Sequence, residues 1–187
     1  MAGAVSRESY LETGLDVLSD LGYGGLKLAG VCQRLGVTTG SFYHYFPSWS
    51  AFTRALVDYW AEVRAASIAT ICTQVDPRRR IGIFIQTALE LPHGTEAAIR
   101  VWSSIDSEVR TVQSAVDQRR FNVLLDAAFA ILDDKRQAQV FASWAMYLLI
   151  GYEQSRLPLA SSDLAWIGAQ LLDALDSGRF ASVPDVD

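Results

Sequence analysis

Signals for β-structure are nearly missing from this sequence. No Asn-Gly or Asp-Gly pair offers a hairpin turn and no run alternates β-branched with polar residues, so a sheet would have neither its turns nor its faces. Cysteine is scarce too. Cys32 and Cys72 have no metal-type spacing and fall inside apolar helical patterns, which argues against a disulfide framework and predicts two buried free thiols. With only His44 and His93, no histidine–carboxylate cluster is available for a metal or a catalytic base, and no Gly-X-Ser-X-Gly nucleophile motif occurs. No metal and no cofactor are therefore expected, and a small all-α enzyme is the remote reading. Excess positive charge is absent: 16 Lys and Arg stand against 21 Asp and Glu, so a generic nucleic-acid coat protein is excluded. The long uncharged run between Arg136 and Glu153 is broken by Gln137, Gln139, Ser143 and Gly151 and falls short of the ~20 apolar residues a bilayer span needs. No membrane partner is expected. The opening as far as Leu11 lacks a basic stretch followed by an apolar run, so no signal peptide is read and a cytoplasmic protein is expected.

What is present is half hydrophobic and one-fifth charged, a globular balance, with apolar residues recurring at spacings of three and four. The expected fold is all-α, with about nine helices. The first starts after Ser6 as N-cap, turns Leu11, Leu15, Leu18 and Leu21 inward and stops at Gly22. Its outer face carries Glu8, Glu12, Asp16 and Asp20 four apart, an acidic stripe that cannot face phosphates. A second short helix runs through Leu28, Val31, Cys32 and Leu35 to Gly36. A third, capped by Thr38 or Thr39, runs through Ser41, Phe42, Tyr43 and Tyr45 until Pro47 ends it. Ser48 caps a long fourth helix through Phe52, Leu56, Tyr59, Trp60 and Val63. Asp76 followed by Pro77 restarts the chain, and Asp106 caps another helix. The remaining expected helices cover about 95–105, 107–132, 135–156 ahead of Pro158, and 162–176 before Gly178.

Two short helices joined across a glycine turn outline a helix-turn-helix. Gly22-Tyr23, then the run Gly36-Val37-Thr38-Thr39-Gly40-Ser41-Phe42-Tyr43-His44-Tyr45-Phe46-Pro47-Ser48, resembles the signature of TetR-family DNA-binding domains, over about residues 6–60. The resemblance implies a three-helix DNA-binding domain over residues 1–48, with Thr38 to Phe46 as the recognition helix. It implies a helical effector-binding and dimerisation domain over 49–187. In physical terms Gly36 permits the turn, while Leu35, Val37 and Phe42 fix the crossing of the two short helices. Thr39, Gly40 and Ser41 are small enough to bring the helix close to base edges, and Tyr43 and His44 reach flanking phosphates. The family adds contacts from the second helix, here Lys27 with Ala29 and Gln33. Arg7 and Arg34 are candidate phosphate clamps.

The sequence departs from the family's pattern at three places. Trp49 stands where a phosphate-contacting lysine is usual and offers one N–H without charge. His44-Tyr45 replaces the more frequent tyrosine-then-histidine order, and Lys27 replaces a Thr or Ser. Up to residue 47 the balance is Arg7, Lys27 and Arg34 against four carboxylates, so affinity is expected to be moderate and strongly salt-dependent.

The family also implies a ligand-responsive repressor that binds a palindromic operator as a homodimer, with a small effector of apolar or mixed polarity. Trp60, Phe84, Trp102, Phe121, Trp144 and Tyr147 are the candidate lining residues, each of which could equally be ordinary core. A constitutive or architectural DNA-binding dimer without an effector is the alternative. The dimer interface is expected on the last two long helices. Val140, Phe141, Trp144, Tyr147, Leu148 and Tyr152 make one of them apolar nearly all round. Leu164, Ile167, Leu171, Leu172 and Leu175 stripe the other, beside the small Ala165, Gly168 and Ala169.

Overall fold

The computed structural model describes residues 5–155 and 160–184, and every regular element among them is helical. In chain order they are α1 (Arg7–Gly25), α2 (Leu28–Leu35), α3 (Thr39–Phe42), α4 (Trp49–Cys72), α5 (Pro77–Leu89), α6 (His93–Ser103), α7 (Ser107–Leu132), α8 (Lys135–Gln154) and α9 (Ser161–Asp176). A 3₁₀ turn follows at Arg179–Ser182. The all-α expectation and its helix count are met among the described residues.

Local chemistry explains most boundaries. Ser6 and Ser9 form a reciprocal capping box at the start of α1. The Ser48 hydroxyl accepts the Ala51 N–H at 3.0 Å, and Asp76, just before Pro77, accepts that of Arg79 at 2.7 Å. Asp106 accepts from the N–H groups of Glu108 and Val109. Two expectations need correction. Gly22 does break the helical path, at φ 67° and ψ −177°, but helical turns resume and carry α1 to Gly25. The regular part of α3 ends at Phe42, and the chain goes on to Tyr45 as turns. Arg156 and Pro158, expected at the end of α8, lie outside the described residues.

The chain forms two compact units, one comprising residues up to Arg64 together with Pro92–Ser114, the other Ala65–Leu91 together with the residues from Ala115. The helix that starts at Trp49 thus belongs to the first unit as far as Arg64. The core of the first unit gathers Leu11, Val17 and Leu18 of α1, Val31 of α2, Phe42, Phe52 and Leu56, Trp60, and Ile99 of α6. In the second, Ile81 and Phe84 of α5, Leu124 and Ala127 of α7, Phe141 and Ala145 of α8, and Leu171 and Leu175 of α9 close around Phe180. Of the two thiols, Cys32 is buried as expected, whereas Cys72, in the last turn of α4, is exposed. Among the described residues no helix is long and apolar enough to cross a membrane.

Candidate nucleic-acid interface

The turn between α2 and α3 depends on Gly36, whose φ of 70° and ψ of 29° lie in the left-handed region. Its N–H donates back to the carbonyls of Cys32 and Gln33, and that of Val37 to Cys32, which closes α2 and releases the chain toward α3. The Thr38 hydroxyl then accepts the Ser41 N–H at 3.3 Å. A helix of four residues cannot hold itself in water. Its order is supplied by aromatic packing: Phe42, with no exposed surface, has ring centroids of Phe46 at 5.3 Å, Phe52 at 5.4 Å, Tyr10 at 5.7 Å and Trp49 at 6.1 Å. Such aromatic pairs are worth about 0.5–1.5 kcal/mol each beyond the area they bury.

With Phe42 and Phe46 turned inward, Thr38, Thr39, Gly40, Tyr43 and His44 are left exposed on the other side. Ser41 is half-buried, and its Oγ accepts the Tyr10 hydroxyl at 3.1 Å, which spends one of its two lone pairs and leaves its proton and the other lone pair to offer outward. Tyr45 is tied back, donating to the Val5 carbonyl, and the Arg7 guanidinium sits over the Phe46 ring at 5.1 Å. Lys27 is exposed at the N-cap of α2. Trp49 is half-buried, its ring 4.9 Å from that of Phe52, which spends much of the indole on packing. Arg34, a candidate clamp, pairs with Asp20 at 2.7 Å. Away from this face, burial and the carboxylates of Glu12, Glu8 and Glu62, with a hydrogen bond to Glu8, hold the Tyr59 phenol above its usual range. Two members of the acidic stripe of α1, Glu8 and Glu12, thus act on Tyr59 of α4, while a third, Asp20, meets Arg34 of α2.

The six expected pocket residues are divided between the two units. Trp60 and Trp102 lie in the first unit, both buried, with Trp102 stacked on Tyr23 at 4.8 Å. Phe84, Phe121 and Trp144 belong to the second, and Tyr147 is 72% exposed. Of the expected interface residues, Leu171 and Leu175 are consumed by the core of their own unit. Val140, Trp144, Leu148, Leu164 and Ile167 are half-buried, and Trp166, which the sequence reading passed over, is 64% exposed. Buried charge was also missed: Arg64, Glu96, Arg120 and Glu153 are all at least nine-tenths buried. A signal for it existed. Glu96 precedes Ile99 and Trp102 on one helical face, and Glu153 follows Met146 and Leu149, so each charge occupies a core position of an apolar stripe.

Residues 11–56, which include α2, α3 and the start of α4, match the bacterial regulatory proteins of the tetR family. The HTH-type transcriptional regulator BetI of Burkholderia ambifaria is 25% identical over 158 residues, spanning 79% of this chain and 79% of that protein. In three dimensions a TetR transcriptional regulator from Legionella pneumophila superposes with a TM-score of 0.74 at 14% identity, over 95% of this chain and 98% of its own. A Saccharomonospora viridis protein crystallised in complex with choline does so at 0.75 and 14%, over 91% and 95%. These likenesses in structure establish the fold, and the matched helix-turn-helix places residues 11–56 with the DNA-binding domains of the TetR family of transcriptional regulators.

Proposed function

We propose that this regulator grips a palindromic operator as a homodimer, reading the major groove with Thr38, Thr39, Gly40, Ser41, Tyr43 and His44, with Lys27 and the Trp49 indole N–H on flanking phosphates. The observation that carries the reading is the sidedness of α3. One side is locked into the aromatic core, and the side left outward bears hydroxyls, an imidazole and a glycine, groups suited to close approach and hydrogen bonding. Arg7 joins as a phosphate contact, whereas Arg34 is already engaged by Asp20. The test uses a duplex selected from a random pool by the wild-type protein. Tyr43→Ala is expected to weaken binding at fixed salt by about 1 kcal/mol or more and to leave the salt slope unchanged, because a neutral phenol releases no counterion, whereas Lys27→Ala should lower the slope by about one ion. Unchanged affinity would remove Tyr43 from the contact set.

The dimer is assigned to α8 and α9, where two large apolar side chains, Tyr147 and Trp166, are exposed beside Ala165 and Ala169. A two-fold pairing of these helices holds two reading heads about 34 Å apart, the spacing of successive major grooves. Trp166→Asp is expected to sediment as a folded monomer that no longer binds the selected duplex, and a stable dimer would refute the placement.

The effector is assigned to the second unit, with Phe121 and Trp144 as apolar wall and the buried Arg120 and Glu153 as polar anchors. The support is buried charge in an otherwise apolar core, together with the ligand-bearing fold neighbour. Its binding releases the operator by favouring the unbound form by about 1–3 kcal/mol.

A further inference from the structure

Within the first unit, three consecutive residues at the start of α6 fix how that helix meets α1 and α4. Gly94 approaches α1 so closely that a methyl group there would strike the Ser19 carbonyl oxygen. Thr95 donates its hydroxyl to the Leu15 carbonyl at 3.1 Å. Glu96, 2% exposed, takes hold of α4: its Oε1 accepts the Trp60 indole N–H at 2.8 Å, and Arg64 Nε lies 3.0 Å from the same oxygen. Trp60 and Arg64 are four residues apart, so one carboxylate grips successive turns of a single face.

Buried ion pairs are poor sources of stability, because removing both charges from water offsets most of their attraction. An apolar trio would hold α4 against α6 equally well. What the carboxylate adds is direction, since a buried indole N–H is satisfied at only one register of the two helices. The helices so registered are the ones that seat α3: Tyr10 of α1 and Phe52 of α4 both pack on Phe42.

We propose that Glu96 is a positioning residue for operator recognition. It holds α4 through Trp60 and Arg64 while its neighbour Thr95 holds α1, and the seat of the recognition helix is thereby set from α6. The proposal rests on the reading of α3 as the DNA contact.

The experiment uses the full-length protein and the selected duplex, well below every variant's melting temperature. Glu96→Leu alone leaves Arg64 buried beside an apolar group and is expected to lower the melting temperature. The double variant Glu96→Leu/Arg64→Met, which removes the buried charges and leaves the Trp60 N–H unpaired, is expected to regain most of it, yet to bind the duplex about tenfold more weakly with an unchanged salt slope, a coupling of ordinary size. Trp60→Phe, which removes the donor together with part of the buried ring, is expected to stay folded and lose about fivefold. Glu96→Gln, which keeps the acceptor, should bind more tightly than the double variant. Wild-type affinity in the restored double variant, or in folded Trp60→Phe, overturns the proposal. Tyr43→Ala, measured alongside, separates the two ideas: a loss in Trp60→Phe with none in Tyr43→Ala would move the contact surface and keep the role of Glu96.

Discussion

Replacing Gly22 and Gly36 one at a time by alanine and by asparagine isolates what each bend costs the backbone, because an added Cβ at either position meets nothing within 4 Å. Gly36 lies at φ 70° and ψ 29°, left-handed space that alanine enters at a cost of about 1–2 kcal/mol and asparagine more cheaply. Gly22, at φ 67° and ψ −177°, occupies a region that is essentially glycine's own, where strain runs to about 1–3 kcal/mol and asparagine has no advantage. Removing glycine's freedom from the unfolded chain returns about 0.4–1 kcal/mol in each case. The net expectation is a loss of about 1 kcal/mol or less for Gly36→Ala, near neutrality for Gly36→Asn, and about 1–2 kcal/mol for both Gly22 variants. Urea denaturation followed by far-UV circular dichroism reads all four. The diagnostic is the difference between asparagine and alanine at each site. If asparagine rescues Gly22 as it rescues Gly36, or if Gly22→Ala costs no more than Gly36→Ala, the assignment of these costs to backbone conformation is wrong.

Two further predictions concern titrating groups. Burial pushes the Cys32 thiol up, so at neutral pH an alkylating reagent should modify the exposed Cys72 rapidly and Cys32 only on unfolding, and equal rates by mass spectrometry would contradict the packing of α2. The Tyr59 phenol, raised first by burial and then by Glu12, Glu8 and Glu62, holds its proton more tightly folded than unfolded. Its contribution to stability is therefore whole below the unfolded value of about 10 and is lost as pH rises through the folded one. Glu12→Gln should lower the folded pKa in a tyrosinate absorbance titration, and an unshifted curve would show that the carboxylate is not acting on the ring.

The helices were legible in the sequence because their ends are written in local chemistry. Ser6, Ser48, Asp76 and Asp106 cap the helices expected of them, and Gly36 turns the chain where a glycine was needed. The outward face of α3 was legible for a related reason: fixing Phe42 as core fixes the direction of its neighbours. What periodicity could not give was the partner of each buried group. The Tyr10 hydroxyl meets Ser41 across 31 positions and the Trp60 indole meets Glu96 across 36, and nothing local records either bond. Leu171 and Leu175 show the same limit. An apolar stripe states that a face is covered but not by what, and Leu171 and Leu175 lie in the core of their own unit, where α5 and the turn that carries Phe180 pack against α9.

The α3 segment takes its order from Phe42 and Phe46, with the Tyr43 ring set edge-on to Phe42 at 5.4 Å, while the exposed Thr39, Gly40 and His44 contribute little to holding it in place. Stability and sequence preference are thereby assigned to different residues of the same short segment. On the reading of α3 proposed above, substitution on the outer set redirects the protein to a new operator at little cost to folding, so a duplicated copy of the gene could acquire a different target through a few changes before any second change was needed to repair the fold. The inner set has no such latitude, because each ring touches several others and a change in one must be answered by its neighbours. Divergence among descendants of this chain should accordingly appear early at positions 39, 40, 43 and 44 and late at 42 and 46.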